Sequence, residues 1–387
     1  MTTINPAPAL EHIETLTPAM GIIDFHGQNC FLRVDGYLPG TNDIHVPTRL
    51  VREHDLRRGD AVAGLAQPNP KSGKLAPLVR VDTVNGEAPG AVKSRPRFAD
   101  LTPIHPDERL RLETGRHQLT TRVIDLMMPI GKGQRALIVA PPKAGKTTVL
   151  QEIAHGLVAN HPEVHLMMVL VGERPEEVTE MSRGIPAEVV AATFDESPAQ
   201  QAALAELAIE RAQRLVEQGR DVVVLLDSLT RLARAYNLSG PASGRILSGG
   251  VDSAALLPPK RFLGKARNIE GGGSLTIIAT TLVETGSQAD TLIFEEYKST
   301  GNAELKLDRT LAGRHIYPAV DINRSSTRRD ELLFAPDERR AVDQLRRTLA
   351  GLDDQRALDI LLDGLRKTGS NAEFLLNILR GSHAAAA

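Results

Sequence analysis

The stretch Ala136-Leu137-Ile138-Val139-Ala140-Pro141-Pro142-Lys143-Ala144-Gly145-Lys146-Thr147 decides the fold of this chain. Five apolar residues end in a proline-led turn, and a helical pattern starts directly after it. That order is a phosphate-binding loop between a strand and a helix, with alanine where the general pattern has its first glycine. Gly145 lets backbone N–H groups turn inward onto a phosphate, and the helix behind it offers its positive N-terminus. Lys146 is placed to reach β- and γ-phosphates, and the Thr147 hydroxyl to ligate Mg²⁺. A chance Gly-Lys-Thr would lack the strand before it and the helix after it.

Further apolar runs at His165–Val171, Val189–Phe194, Val222–Leu226 and Leu275–Val283 alternate with helical segments, which predicts a parallel sheet with crossover helices. Ser197-Pro198-Ala199-Gln200 reads as a capping box that opens a helix running to Gln218, with Gly219 as its stop. Val222–Leu226 ends in Asp227, so a carboxylate arrives beside the metal at the C-terminal edge of the sheet. Many buried strands end in an Asp that caps the next helix. The phosphate loop upstream is what gives Asp227 its meaning. Glu173 closes the strand between these motifs and is placed to orient an attacking water, while Glu176 and Glu177 read as ordinary acids of a helix N-terminal turn. The arginines of Asn323–Arg329 lie, on this pattern, beyond the last core strand. They are either a finger for a neighbouring subunit's γ-phosphoryl group or a solvated basic turn.

The rest of the chain frames this phosphate-loop domain. Short β-like runs at Cys30–Val34, Asp43–Val46, Ala61–Ala66 and Leu78–Val84, broken by Gly- and Pro-bearing turns, predict a small β-barrel. The expected organisation is an arm over 1–20, a barrel over 21–85, a linker over 86–120, an α/β ATPase domain over 121–332, and C-terminal helices and tail over 333–387. Within the last segment, Pro336–Gly351 and Asp353–Leu379 each read as a helix. The 387 residues carry 46 Lys+Arg against 48 Asp+Glu, a formal charge of −2, which excludes a wholly basic coat protein. Hydrophobic residues at 41% exclude bulk disorder. A single cysteine, Cys30, excludes a disulfide scaffold and fits a reducing cytoplasm. No apolar run is long enough for a membrane helix, and the first residues lack the order of a signal peptide.

With these residues in hand, the chain resembles the bacterial transcription termination factor Rho family from about residue 30 to 335. The resemblance is densest at RALIVAPPKAGKTTVLQEIA, ERPEEVTEM, LLDSLTRLARAYN, GGVDSAALLPPKRF, GGSLTIIAT and DINRSSTRRDELL. It implies a RecA-like P-loop motor preceded by a small OB-type, cold-shock-like barrel, assembled as a homohexameric ring. Such a ring hydrolyses ATP with Mg²⁺, threads single-stranded RNA 5′ to 3′ and displaces transcripts from RNA polymerase and its elongation factors. By resemblance, Lys146, Glu173, Asp227 and Arg328 are catalytic, with Arg328 the finger that enters the adjoining subunit's site. Nucleotide contacts fall on Gly131, Lys132, Gly133, Gln134, Arg135 and Ala136, on Lys143, Ala144, Gly145, Thr147 and Thr148, and on Arg174 and Tyr317. RNA contacts fall on Phe31, Arg33, Asp43, His45 and Leu75 in the barrel. Further ones fall on Arg245 and Ser248 in a channel loop at Ser243–Gly250, and on Gln288 in a second at Glu284–Asp290.

Several positions depart from the family pattern. Only Phe31 remains of the aromatic run Gln28–Arg33, and two base-contacting tyrosine positions carry His45 and Leu75. Each lost stack removes about 1–3 kcal/mol per base. Seven Lys/Arg over residues 49–80 (Arg49, Arg52, Arg57, Arg58, Lys71, Lys74, Arg80) are expected to retain a sequence-indifferent charge term. Gln288 replaces a channel lysine, His315 a subunit-bridging arginine with Arg314 beside it, and Gly172 an aspartate. The helical subdomain that precedes the barrel in many relatives is expected to be missing or reduced to the arm. Two rivals follow: a RecA-type translocase acting on DNA, and a regulatory RNA-binding ring or filament whose hydrolysis drives no movement.

Overall fold

The computed structural model describes the backbone of residues 16–68, 75–241 and 243–385, and their side chains except at 68, 75, 76 and 381–385. Lys71, Lys74, the side chain of Leu75 and the first fifteen residues of the expected arm lie outside the described residues. The chain divides into two compact units, Met1–Arg95 and Pro96–Ala387.

The first unit is an antiparallel sheet of five strands, β1 (Thr17–His26), β2 (Asn29–Arg33), β3 (Ile44–Val46), β4 (Ala61–Pro68) and β5 (Leu75–Val84), in the order β3-β2-β1-β4-β5. Period-2 alternation explains it. In β2, Cys30 and Leu32 point inward, whereas Asn29 and Phe31 face out. The inward set, with Ile23, Ile44, Val62, Leu78 and Val84, makes the core. Strand β1 begins four residues inside the segment expected as an arm, despite Pro18. The reason is geometric: β1 pairs with β2 only from Ile22 onward, so Pro18 sits where one side of the strand is an edge and no N–H is required.

The second unit is built on a sheet of nine strands, seven of which form a continuous path. These are β6 (Arg135–Ala140), β7 (His165–Glu173), β8 (Glu188–Thr193), β9 (Asp221–Asp227), β10 (Ser274–Leu282), β11 (Ala303–Leu307) and β12 (Val320–Thr327), ordered β8-β7-β9-β10-β6-β11-β12. The five strands from β8 to β6 are parallel, as the apolar runs predict. Helices α1 (Leu119–Met127), α2 (Lys146–Asn160), α3 (Pro175–Gly184), α4 (Pro198–Val216), α5 (Leu229–Ser239) and α6 (Gln288–Lys298) accompany the sheet. The capping box at Ser197 is present, and its helix stops two residues before Gln218. Strand β12 corrects the placement of Asn323–Arg329, which is not beyond the core. Ser325 and Thr327 face inward and are buried, while Asn323 and Arg324 face out.

Three helices, α7 (Pro336–Leu349), α8 (Asp354–Arg366) and α9 (Asn371–Ala385), end the chain. The single helix expected over Asp353–Leu379 is two, because Arg122 of α1, fully buried, captures the break. Its guanidinium donates to Leu365 O at 2.8 Å, Thr368 O at 3.1 Å and Asn371 Oδ1 at 3.1 Å. The orphan carbonyls of one helix end thereby gain a charged donor.

Candidate nucleotide site and nucleic-acid surface

Three side chains expected to carry the chemistry converge at the C-terminal edge of the parallel strands. Lys146 opens α2, Glu173 ends β7 and Asp227 ends β9. Lys146 Nζ donates to Glu173 Oε1 at 3.1 Å and also to Asp227 Oδ1. Thr280 Oγ1 of β10 donates to the same Asp227 oxygen at 2.7 Å. Burial opposes the charge of Lys146, but Asp227 and Glu173 outweigh it and hold its pKa above the ordinary value. Burial, reinforced by the negative charge of Asp227, pushes Glu173 up to about 7. A carboxylate poised near neutrality suits a general base.

Sequence reasoning missed the residue that aims Glu173. Arg231 of α5 pairs with Glu173 Oε2 at 3.3 Å and donates to Gly172 O. Its spacing, four residues after the strand-ending Asp227, was a usable signal. Gly172 lies at φ +68°, where the β7–β8 register also shifts at Glu173. A left-handed backbone there suits glycine, and a Cβ would crowd Arg231 Cδ at 3.2 Å.

Around the loop, Lys143 is exposed at φ +66° and Gly145 lies at φ +90°. Thr147 is half-buried on the first turn of α2, Thr148 is exposed, and Ala144 packs inward. Tyr317, half exposed, lies beside Gly145 and lines a cleft of about 410 Å³ with Thr148 and Glu152. Arg174 is exposed at the start of α3, 3.7 Å from Glu177, and does not join the Lys146 cluster. Among the described residues no group of three or more metal-binding side chains occurs. One carboxylate, Asp227, and one hydroxyl, Thr147, nevertheless suit Mg²⁺, which keeps water and phosphate oxygens as its other ligands.

The remaining expected nucleotide residues lie elsewhere. Gly131–Ala136 precedes or begins β6, whereas the phosphate loop follows its end, about 20 Å away at 3.3 Å per residue. Lys132 is buried between Glu108 and Asp221, Gly133 N donates to Thr276 Oγ1, and Gln134 donates to Asn302. These contacts hold the sheet's N-terminal edge together. Arg328 belongs to that same edge: Thr327 pairs with Ala303, which pairs with Ala136. Arg328 N donates to Asn302 O at 2.8 Å, and its side chain is exposed. His315 is exposed, and Arg314 is held by Gln355 of its own chain.

In the barrel, Phe31 and His45 face out from paired strands and meet edge to face at 6.0 Å. Arg33 and Asp43 are not available in the same way. Arg33 is 6% exposed and bridges Asp24, at 2.6 Å, and Asp43. The basic residues are also engaged: Arg49 with Glu53, Arg57 with Asp55, Arg58 with Asp24 and Arg80 with Asp82. Composition suggested a free positive surface, and local pairing has neutralised much of it. In the second unit, Arg245, Ser248 and Gln288 are exposed.

Comparison with known proteins identifies both units. Residues 19–90 match the model described as Rho termination factor, RNA-binding domain, and residues 120–327 match the ATP synthase alpha/beta family, nucleotide-binding domain. Over 376 residues, 95% of the chain, it is 61% identical to the transcription termination factor Rho of Mycobacterium bovis. The chain belongs to the Rho family. It is 58% identical to Streptomyces lividans Rho over 96% of its length, and 55% identical to Streptosporangium roseum Rho over 97%. It spans 62% of the Mycobacterium Rho, 53% of the Streptomyces Rho and 94% of the Streptosporangium Rho. A type III secretion ATPase of pathogenic bacteria shares the fold at TM-score 0.60 and 23% identity, covering 82% of this chain and 93% of that one. The assembled ATPase EscN aligns at TM-score 0.59 and 24% identity, over 73% of each chain. The fold is therefore a RecA-like nucleotide-binding domain preceded by a Rho RNA-binding domain, with a helical C-terminus. No helix among the described residues is long and apolar enough to cross a membrane.

Proposed function

We propose that this Rho family member is an RNA-dependent ATPase that moves along single-stranded RNA and releases transcripts from RNA polymerase. It works as a homohexameric ring in which Arg328 of one subunit completes the nucleotide site of the next. The observation that carries the proposal is the convergence of Lys146, Glu173 and Asp227 at one sheet edge, with Arg328 at the other. One chain thus holds both halves of a catalytic site that only a second copy can close.

Each residue has a distinct task. Lys146 exchanges a carboxylate partner for the β/γ-phosphates, and Glu173, ionised and aimed by Arg231, orients the attacking water and takes up its proton. Thr147 and Asp227 would hold Mg²⁺, which would supply positive charge to neutralise the phosphate oxygens. Arg328 stabilises the charge that develops on the transferring γ-phosphoryl group. Tyr317 offers the face on which adenine packs, and Phe31 with His45 offers the barrel's platform for a base.

The test is ATP turnover by the full chain with single-stranded RNAs of different base composition, with single-stranded DNA, and with no nucleic acid. Stimulation by RNA alone supports the proposal. Stimulation by DNA would replace it with a DNA translocase, and turnover without strand displacement with a regulatory ring.

A further inference from the structure

The cleft of about 410 Å³ beside the phosphate loop contains a carboxylate that no step of hydrolysis uses. Glu152 lies on α2 four residues after Thr148, so the two share one face of the helix. Its Oε2 is buried and has no hydrogen-bond partner among the described residues. The polar side chains beside it on α2 are committed elsewhere: Gln151 donates to Glu180 at 3.1 Å, and His155 bonds Gly184 O at 3.0 Å. An ionised carboxylate oxygen accepts and cannot donate, so only an incoming N–H or O–H relieves its isolation.

The geometry narrows which donor that is. Lys146 marks the phosphate end of the cleft, and Glu152 is six residues further along the helix, a rise of about 9 Å. Between them Tyr317 forms a wall. Its ring lies 3.7 Å from where a Cβ on Gly145 would stand, and its hydroxyl donates to Ala312 O at 3.3 Å, which restrains the ring. Apolar Leu119, Val149 and Ala319 help to line the cleft. A nucleotide with its phosphates on the loop and its base against Tyr317 therefore brings the far edge of the base, rather than the ribose, to Glu152. At that edge adenine presents a 6-amino donor, whereas guanine presents a 6-oxo acceptor.

We propose that Glu152 is a specificity-determining residue of the nucleotide site: its buried Oε2 accepts a hydrogen bond from the 6-amino group of adenine, so this chain selects ATP over nucleotides that lack that donor. This rests on the functional reading above and adds what reads the base, because stacking on Tyr317 is tolerant of base identity. A hydrogen bond to a charged acceptor is worth about 10–100-fold in affinity, and a 6-oxo group turned to the same oxygen leaves both acceptors unpaired.

The test measures equilibrium binding of magnesium nucleotides to the full chain: ATP, GTP, 2′-deoxy-ATP and purine riboside triphosphate, which is ATP without its 6-amino group. The unaltered chain is expected to bind ATP and 2′-deoxy-ATP alike, and about 10–100-fold more tightly than the other two. Glu152→Ala should bring ATP down to the level of purine riboside triphosphate, with thermal unfolding followed to confirm the fold. Glu152→Gln, whose amide can accept or donate, should narrow the gap between ATP and GTP. The series on the unaltered chain needs no variant to fold. Equal binding of ATP and purine riboside triphosphate there overturns the proposal. So does a loss confined to 2′-deoxy-ATP, which would assign Glu152 to a ribose hydroxyl, and so does tighter binding of GTP, which would turn it to the N1–H and 2-amino donors of guanine. A Glu152→Ala chain that weakens equally on every nucleotide overturns it too and leaves the residue a role in cleft shape only. If none of the nucleotides binds the unaltered chain, the functional reading itself falls.

Discussion

Arg328 leaves the sheet at the level of Ala136, and Lys146 follows Ala140 at the other end of the same strand. The Arg328 side chain cannot reach the phosphate loop of its own chain across that strand. Mixing Arg328→Ala with Lys146→Ala subunits should therefore restore part of the activity, because some interfaces pair an intact loop with an intact finger. Each variant alone should fall about 10³-fold or more in turnover. Mixed rings, shown by mass to have formed, that stay as inactive as either parent would place Arg328 outside the neighbour's site.

Glu173→Gln should abolish turnover while ATP binding survives, since the phosphate loop is untouched. In the unaltered chain kcat/KM reports the free enzyme, so its acid limb should rise through about pH 7 as Glu173 ionises. Arg231→Gln removes a cation that favours the carboxylate, and should move that limb to higher pH by about one unit. An unshifted limb would separate Arg231 from the base.

The barrel should bind RNA weakly and with a shallow salt dependence. Four of its basic residues are already paired with neighbouring acids, so they release few counterions. This revises the steep dependence that charge counting alone suggests. Asn29→Phe and His45→Tyr should each tighten binding by about 1–3 kcal/mol without steepening the salt slope. Arg33→Ala should instead cost about 3 kcal/mol of barrel stability, because it leaves the half-hidden Asp43 without its cation and Asp24 with Arg58 alone. Titration of RNA at two salt concentrations and urea unfolding check both statements.

Asp125 is a buried carboxylate whose pKa burial lifts to about 6, although Arg109 and the N–H groups of Leu112 and Glu113 favour its charge. A folded-state pKa above the unfolded one means that its stabilising contribution is present at low pH and lost as pH rises through about 6. Urea midpoints should thus fall across that window in the unaltered chain. Asp125→Asn should flatten the slope, and an unchanged slope would clear this residue of the effect.

The parallel motor, its phosphate loop, Glu173 and Asp227 were legible in sequence because each is local. A buried parallel strand is a continuous apolar run, and the loop and strand-ending acids sit at set distances from it. Strands β1, β11 and β12 were not legible. β1 takes its second partner, β4, and β11 its partner β6 from segments distant in sequence, and the mixed polar and apolar residues of all three match loops as well as edge strands. Tertiary structure alone decided that Arg33 is locked between two aspartates, that Gly131–Ala136 lies a strand length from the phosphate loop, and that Arg231 meets Glu173 at the end of β7. Residue type announces a charge, but only the folded chain decides whether that charge meets a carboxylate of its own or is left for phosphate.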